Sequence, residues 1–153
     1  MTNPSDLPPV PAEELSTSTC WSLVRDVAVG RIAFPGSDGD TEIFPVNYLV
    51  DRGSIVFRTA AGSKLSFAES GARGSFEVDD IEPTHSIVWS VVMKGPIAVI
   101  RGQQAIIDSF DLDVLTWHAG HKPTYVRLTP DVVTGRRFAI GPMGPTSPMP
   151  IPG

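Results

Sequence analysis

The stretch "TEIFPVNYLVDRGSIVFRTAAGSKL", Thr41 to Leu65, decides how the rest of the chain is read. Its first run and "SIVFRT" (Ser54–Thr59) are rich in β-branched and aromatic side chains, and the "DRG" between them is turn chemistry. The two runs therefore read as a hairpin. Small residues follow, and then "SKLSFAES" reads as a short helix ended by Gly71. A strand thus delivers Arg58 and Thr59 to a loop, and the loop hands Ser63 and Lys64 to a helix start.

That pattern has two readings. A helix N-terminus carries unpaired backbone N–H groups and a positive dipole end, so a phosphate gains hydrogen bonds there before any side chain acts. Arg58 adds a bidentate guanidinium and Lys64 a flexible point charge. Alternatively, Ser63 caps the helix and both cations stand in solvent. The loop is not a Walker A motif, because G-x-x-x-x-G-K-[ST] is absent and leucine follows Lys64. Upstream, Pro45 interrupts a convincing strand, which is tolerated where the missing N–H faces an edge, a bulge or a ligand. Asn47 and Tyr48 offer an amide and a phenol beside it. A planar ligand lying on this backbone, with its phosphate at "RTAAGSK", has the layout that flavin mononucleotide (FMN) requires.

Outward from this segment, "LSTSTCWSLVRDV" offers Ser/Thr caps before an amphipathic helix, and "VGRIAFP" is a strand closed by "GSDGD". "GSFEVDDI" and "HSIVWSVVMKGPIAVI" return to strand pattern, with Gly95-Pro96 marking a bulge or bend in the second. "QQAIIDSFDLDVLTWHAG" reads as helical, and "TYVRLTPDVVTGRRFAI" as two further strands. About six or seven short strands with two or three helices point to a mainly β fold, a closed or nearly closed antiparallel barrel rather than βαβ units. Proline-rich segments at residues 1–11 and 142–153 read as tails around a domain spanning 12–141.

Composition narrows the function. The 153 residues suit one domain, and 41% hydrophobic with 19% charged residues is enough for a packed core. A formal charge of −5 and no Lys/Arg run argue against a nucleic-acid partner. No apolar run approaches membrane-spanning length, the N-terminal stretch lacks the pattern of a targeting signal, and the lone Cys20 calls for no oxidising compartment. A cytoplasmic, soluble protein is expected.

The ordered set "LVRDVAVGRIAF", "EIFPVNYLVDRGSIVFRTAAGSKL", "GSFEVDDI", "WSVVMKG" and "RLTPDVVTGRRF" resembles the pyridoxamine 5′-phosphate oxidase-like flavoprotein superfamily, in particular its short branch that includes nitroimidazole-resistance proteins. The resemblance implies a split β-barrel, a homodimer, and FMN in clefts shared between subunits. By position, Pro45, Val46, Asn47 and Tyr48 would line the isoalloxazine ring, and Arg58, Thr59, Ser63 and Lys64 would hold the phosphate. Trp89, Ser90 and Val91 would approach the ring from the neighbouring subunit. It further implies an oxidoreductase that reduces a small organic acceptor with electrons from NAD(P)H. The alternatives are a flavin, deazaflavin or haem binding protein without turnover, or a reductase using the 8-hydroxy-5-deazaflavin coenzyme. The deazaflavin's polyanionic tail would draw on Arg101, Lys122 and Arg127. After "TGRRF" the chain lacks the basic and aromatic residues that hold substrate in true vitamin B6 oxidases, and Arg136 with Arg137 reads as a solvated or dimer-rim pair.

Other constellations carry less. His118 and His121 lie three apart without an accompanying Cys or Glu pattern, so no metal site is expected. There is no G-x-S-x-G elbow, and Asp79 with Asp80 reads as a solvated loop pair. No catalytic side chain is assigned.

Overall fold

The computed structural model describes residues 12–59, 62–84, 86–100 and 124–140. In chain order the elements are β1 (Glu13–Glu14), α1 (Thr17–Arg25), β2 (Val29–Pro35), β3 (Thr41–Asp51), β4 (Ser54–Thr59), α2 (Ser63–Ser70), β5 (Arg73–Glu82), β6 (Ile87–Val99), β7 (Thr124–Leu128) and β8 (Val132–Ala139). The strands form one antiparallel sheet in the order β1-β8-β6-β5-β2-β3-β4-β7, and a further β6–β7 pairing closes the six strands β2 to β7 into a barrel. The mainly β barrel expected from the sequence is what forms.

β6 changes partner along its length. Ile87 to Lys94 pair with β8, whereas Ile97 to Val99 pair with β7. The Gly95-Pro96 step is the point of exchange. There the β7–β8 connection presses against the strand: a Cβ at Gly95 would stand 2.8 Å from the Cα of Pro130 and collide with the Thr129 carbonyl. The expected bulge or bend is thus a close approach of two backbones, for which glycine leaves room.

Alternation along each strand fills the interior. Ile32 and Phe34 of β2, Val46 and Tyr48 of β3, Phe76 and Val78 of β5, and Val91 and Met93 of β6 are all buried in one core. Full burial of such a side chain is worth about 1.5–3 kcal/mol. The two helices pack toward opposite ends of β2. α1 lies on β8 and β3 and buries Cys20 and Val24, while α2 lies on β6 and β7 and stacks Phe67 on Phe34 at 4.5 Å. α2 ends at Gly71, whose φ of 68° is the left-handed conformation a helix C-terminus favours.

Several expectations are refined. The two-residue β1 escaped the reading because a pair of glutamates has no strand pattern of its own. It exists by pairing with Arg136 and Arg137 of β8, and Arg137, still solvent-accessible, is ion-paired with Glu13 at 3.0 Å. Asp79 and Asp80 lie on β5, not in a loop, and Asp79 accepts from Arg31 at 3.1 Å. The helix read over "QQAIIDSFDLDVLTWHAG" and both proline-rich tails lie outside the described residues. Among the described residues, no helix is long and apolar enough to cross a membrane.

Candidate functional site

The site begins where β3 and β4 part. The β3–β4 ladder runs from Asp51↔Ser54 to Tyr48↔Phe57 and stops, so residues 41–47 of β3 are paired only with β2. The Tyr48 N–H donates to the Ala28 carbonyl at 3.3 Å, which fixes the alternation: even-numbered residues of β3 direct their backbone groups to β2, odd-numbered ones away from it. Pro45 therefore turns its nitrogen toward the open edge, where no ladder N–H is needed. The same alternation commits Val46, opposite Gly30, to β2.

Side-chain direction sorts the sequence-derived residues. Val46, Tyr48, Thr59, Trp89 and Val91 are buried, and the Tyr48 hydroxyl donates to the Val24 carbonyl at 2.6 Å. Burial and the nearby Asp26 carboxylate push the Tyr48 phenol well above the usual tyrosine range, so it stays protonated. These side chains belong to the barrel interior, and contact with a ligand outside the barrel would run through their backbones. Pro45 and Asn47 take the opposite, outward face. Among the described residues the half-buried Asn47 amide has no side-chain hydrogen-bond partner, an acceptor and a donor both left for something else.

Arg58 follows Phe57 on β4 and shares the outward face next to Asn47. Its guanidinium lies over the ring of Tyr125, its β7 partner, at 5.3 Å. After two residues outside the description comes α2, whose N-cap is Gly62 and which no side chain caps. Ser63 is thus the first helical residue and not the cap. Lys64, in the first turn, places its ammonium 4.3 Å from the centroid of Phe44 on β3. Asn47 and Arg58 thus share the outward face, whereas Lys64 rests on Phe44, which lies on the same face of β3 as Val46 and Tyr48.

The β6 residues stand apart. Of Trp89, Ser90 and Val91, only Ser90 faces outward, and β2 and β5 separate β6 from β3. Three strand spacings are about 14 Å, beyond contact with Asn47 in the same chain. The cations proposed for a longer anionic tail do not gather either. Arg127 is held by Asp51 at 3.0 Å and by Ser54, while Arg101 and Lys122 lie outside the described residues. His85, His118 and His121 lie outside them too, and no cluster of metal-ligating side chains occurs among the described residues.

Phe44 and Tyr125 were not singled out from sequence. Phe44 adjoins "PVNY", which is a weak signal, whereas nothing local marks Tyr125: its neighbour Arg58 is reached only through the β4–β7 register.

The barrel thus carries an open edge on β3 beside an outward amide, and a helix whose start no side chain caps. The chain belongs to the pyridoxamine 5′-phosphate oxidase family, whose model matches residues 16–137. It resembles the solved FAD binding protein of Mycobacterium smegmatis, with 32% identity, 83% of this chain and 98% of that one covered, and a TM-score of 0.68. A candidate pyridoxamine 5′-phosphate oxidase of Corynebacterium glutamicum matches at 33% identity over 85% of this chain and 100% of that one, with a TM-score of 0.75. A candidate 5-nitroimidazole antibiotic resistance protein of Bacteroides thetaiotaomicron shares the fold at 11% identity and a TM-score of 0.65, with 84% of this chain and 89% of that one covered.

Proposed function

We infer that the protein is a homodimeric flavin-dependent oxidoreductase that holds FMN at the β3–β4–α2 opening and reduces a small organic acceptor with electrons from NAD(P)H. The observation that carries this reading is the start of α2, which no side chain caps, with Lys64 in its first turn and Arg58 at the end of the strand that leads to it. A phosphate there would receive backbone N–H groups and two cations, and a ring on the outward face of β3 would meet Pro45 and Asn47. When bound, the flavin supplies hydride and electron transfer, so the chain needs no nucleophile. Its own residues bind and orient. With a flavin bound, the Asn47 amide would donate to the ring edge and Arg58 and Lys64 would hold the phosphate.

Support for a second chain comes from the outer wall. Ile43, Ile81, Val132 and Phe138 are 65%, 57%, 42% and 43% exposed, and the strand registers place all of them on the outside of the barrel. A partner seated on that wall would cover them and bring its own β6, with Ser90, toward the ring of the first chain. FAD is the second reading, favoured by the similarity to a protein named as FAD binding.

The test is the visible spectrum of the purified protein during titration with FMN, FAD and the deazaflavin coenzyme, followed by NADPH. Saturable flavin binding, bleaching by NADPH and recovery with an acceptor are expected. Binding without bleaching would reduce the protein to a flavin carrier, and no binding of any of the three would remove the flavin reading.

A further inference from the structure

We propose that the cleft where β2 and β5 part is a second ligand site, which takes the carboxylate of a small organic acid. It does not depend on the flavin reading. Thr41, on its rim, stands four residues along β3 from Pro45, about 13 Å, so the cleft is separate from the flavin opening.

Strand pairing makes the cleft. The β2–β5 ladder runs from Arg31↔Glu77 to Ala33↔Ser75 and ends there. Pro35, two residues further on, has no N–H with which to extend it. On the other side Arg73 of β5 turns to Asp131, to which it donates two hydrogen bonds. Between the parted strands lies a pocket of about 310 Å³, at the lower end of the range for small-molecule sites. Ala33, Gly74 and Ser75 line it with small side chains, which leave it depth.

The polar groups of the pocket are uncommitted. The hydroxyls of Thr41 and Ser75 and the ammonium of Lys94 line it, and none of the three has a hydrogen-bond or ion-pair partner among the described residues. Register brings them together, since Ser75 stands between Ala33 of β2 and Lys94 of β6 on the outward face. The chain carries a formal charge of −5, yet among the described residues that line this pocket there is no carboxylate. The charge of Arg73 is already matched by Asp131, so the charge of Lys94 stands uncompensated. One ammonium and two hydroxyls suit the single charge and the two acceptor oxygens of a carboxylate, and Ala33 with Pro35 offers an apolar surface to the body of the acid. A phosphate dianion would leave one of its charges unmatched. The pocket reaches from the row Ile43–Ala33–Ser75–Lys94–Val132 to Thr41 and Pro35 at the margin of the outer wall, and a second copy seated on that wall would narrow its mouth.

The experiment titrates benzoate and benzamide, alike in shape and different in charge, into the isotope-labelled protein and follows the backbone amide resonances of Gly74, Ser75 and Lys94. Benzoate should shift them saturably and bind about three- to tenfold more tightly than benzamide. Lys94→Gln should abolish that preference, and Lys94→Arg should keep it. No saturable shift of these amides with benzoate, equal affinity for the two probes, or a preference that survives Lys94→Gln would each overturn the proposal. Inorganic phosphate binding there more tightly than benzoate would overturn the assignment to carboxylates. A flavin titration of the same sample reports on the FMN reading separately, so failure of one leaves the other standing.

Discussion

The two helices begin differently. α1 is finished by its own sequence: the Ser16 side chain accepts from the Thr19 N–H at 3.2 Å, and the helix buries Cys20 and Val24. α2 starts at Gly62 with no side-chain cap; Lys64 of its first turn rests on Phe44, and Arg58 near the end of β4 rests on Tyr125. A helix that closes its own terminus is a structural part. One that leaves its first N–H groups to the surroundings offers the donors on which the proposed phosphate site depends. Changes around α1 should therefore register in stability and changes around the start of α2 in binding.

The largest effect on the α1 side is expected from Val24→Ala. Removing fully buried methyl groups should lower unfolding free energy by about 2 kcal/mol in urea titration, while flavin affinity of the folded fraction stays put. Ser16→Ala removes the cap and should cost about 1 kcal/mol, again without touching the ligand. A fall in affinity from either would erase the division of labour between the helices.

Tyr48→Phe sharpens the comparison, since this residue was grouped with the ligand by sequence yet bonds the backbone of α1. Loss of that buried hydrogen bond should cost about 1 kcal/mol at neutral pH, with binding unchanged. Burial, then Asp26, holds the folded phenol above its ordinary value of 10.0. The unfolded chain therefore ionises first, so this stabilisation is present below about pH 10 and is lost as pH rises beyond it. Tyr48→Phe should flatten that alkaline loss in thermal melts. The smallest effect belongs to Arg73→Gln. Its bonds to Asp131, one of 2.7 Å, lie in solvent, and neither the melting midpoint nor flavin affinity should move measurably.

Much of this arrangement was legible in the chain. The hairpin, the short helix stopped by Gly71, and the Ser/Thr-capped α1 follow from local chemistry, as does the passage from the strand that carries Arg58 and Thr59 into α2. The direction of side chains within "PVNY" was available too, because strict alternation puts Val46 and Tyr48 on the face opposite Pro45 and Asn47. The role of Tyr48 was misjudged by chemistry: a phenol reads as a ligand donor until the carbonyl of Val24 is seen to take it. Other features depend on pairing over long separations. β1 exists only against β8, Arg58 meets Tyr125 only through the β4–β7 register, and the partner exchange at Gly95 needs the β7–β8 connection beside it. No window of sequence contains both halves of such contacts.

The most direct test of the central claim is the affinity for FMN of wild type and Lys64→Ala, measured by difference absorbance on proteins shown by circular dichroism to be equally folded. Wild type should bind saturably, and loss of the charge-assisted contact should weaken binding roughly 10- to 100-fold. Equal affinities in the two proteins, or no binding by wild type, would contradict the account.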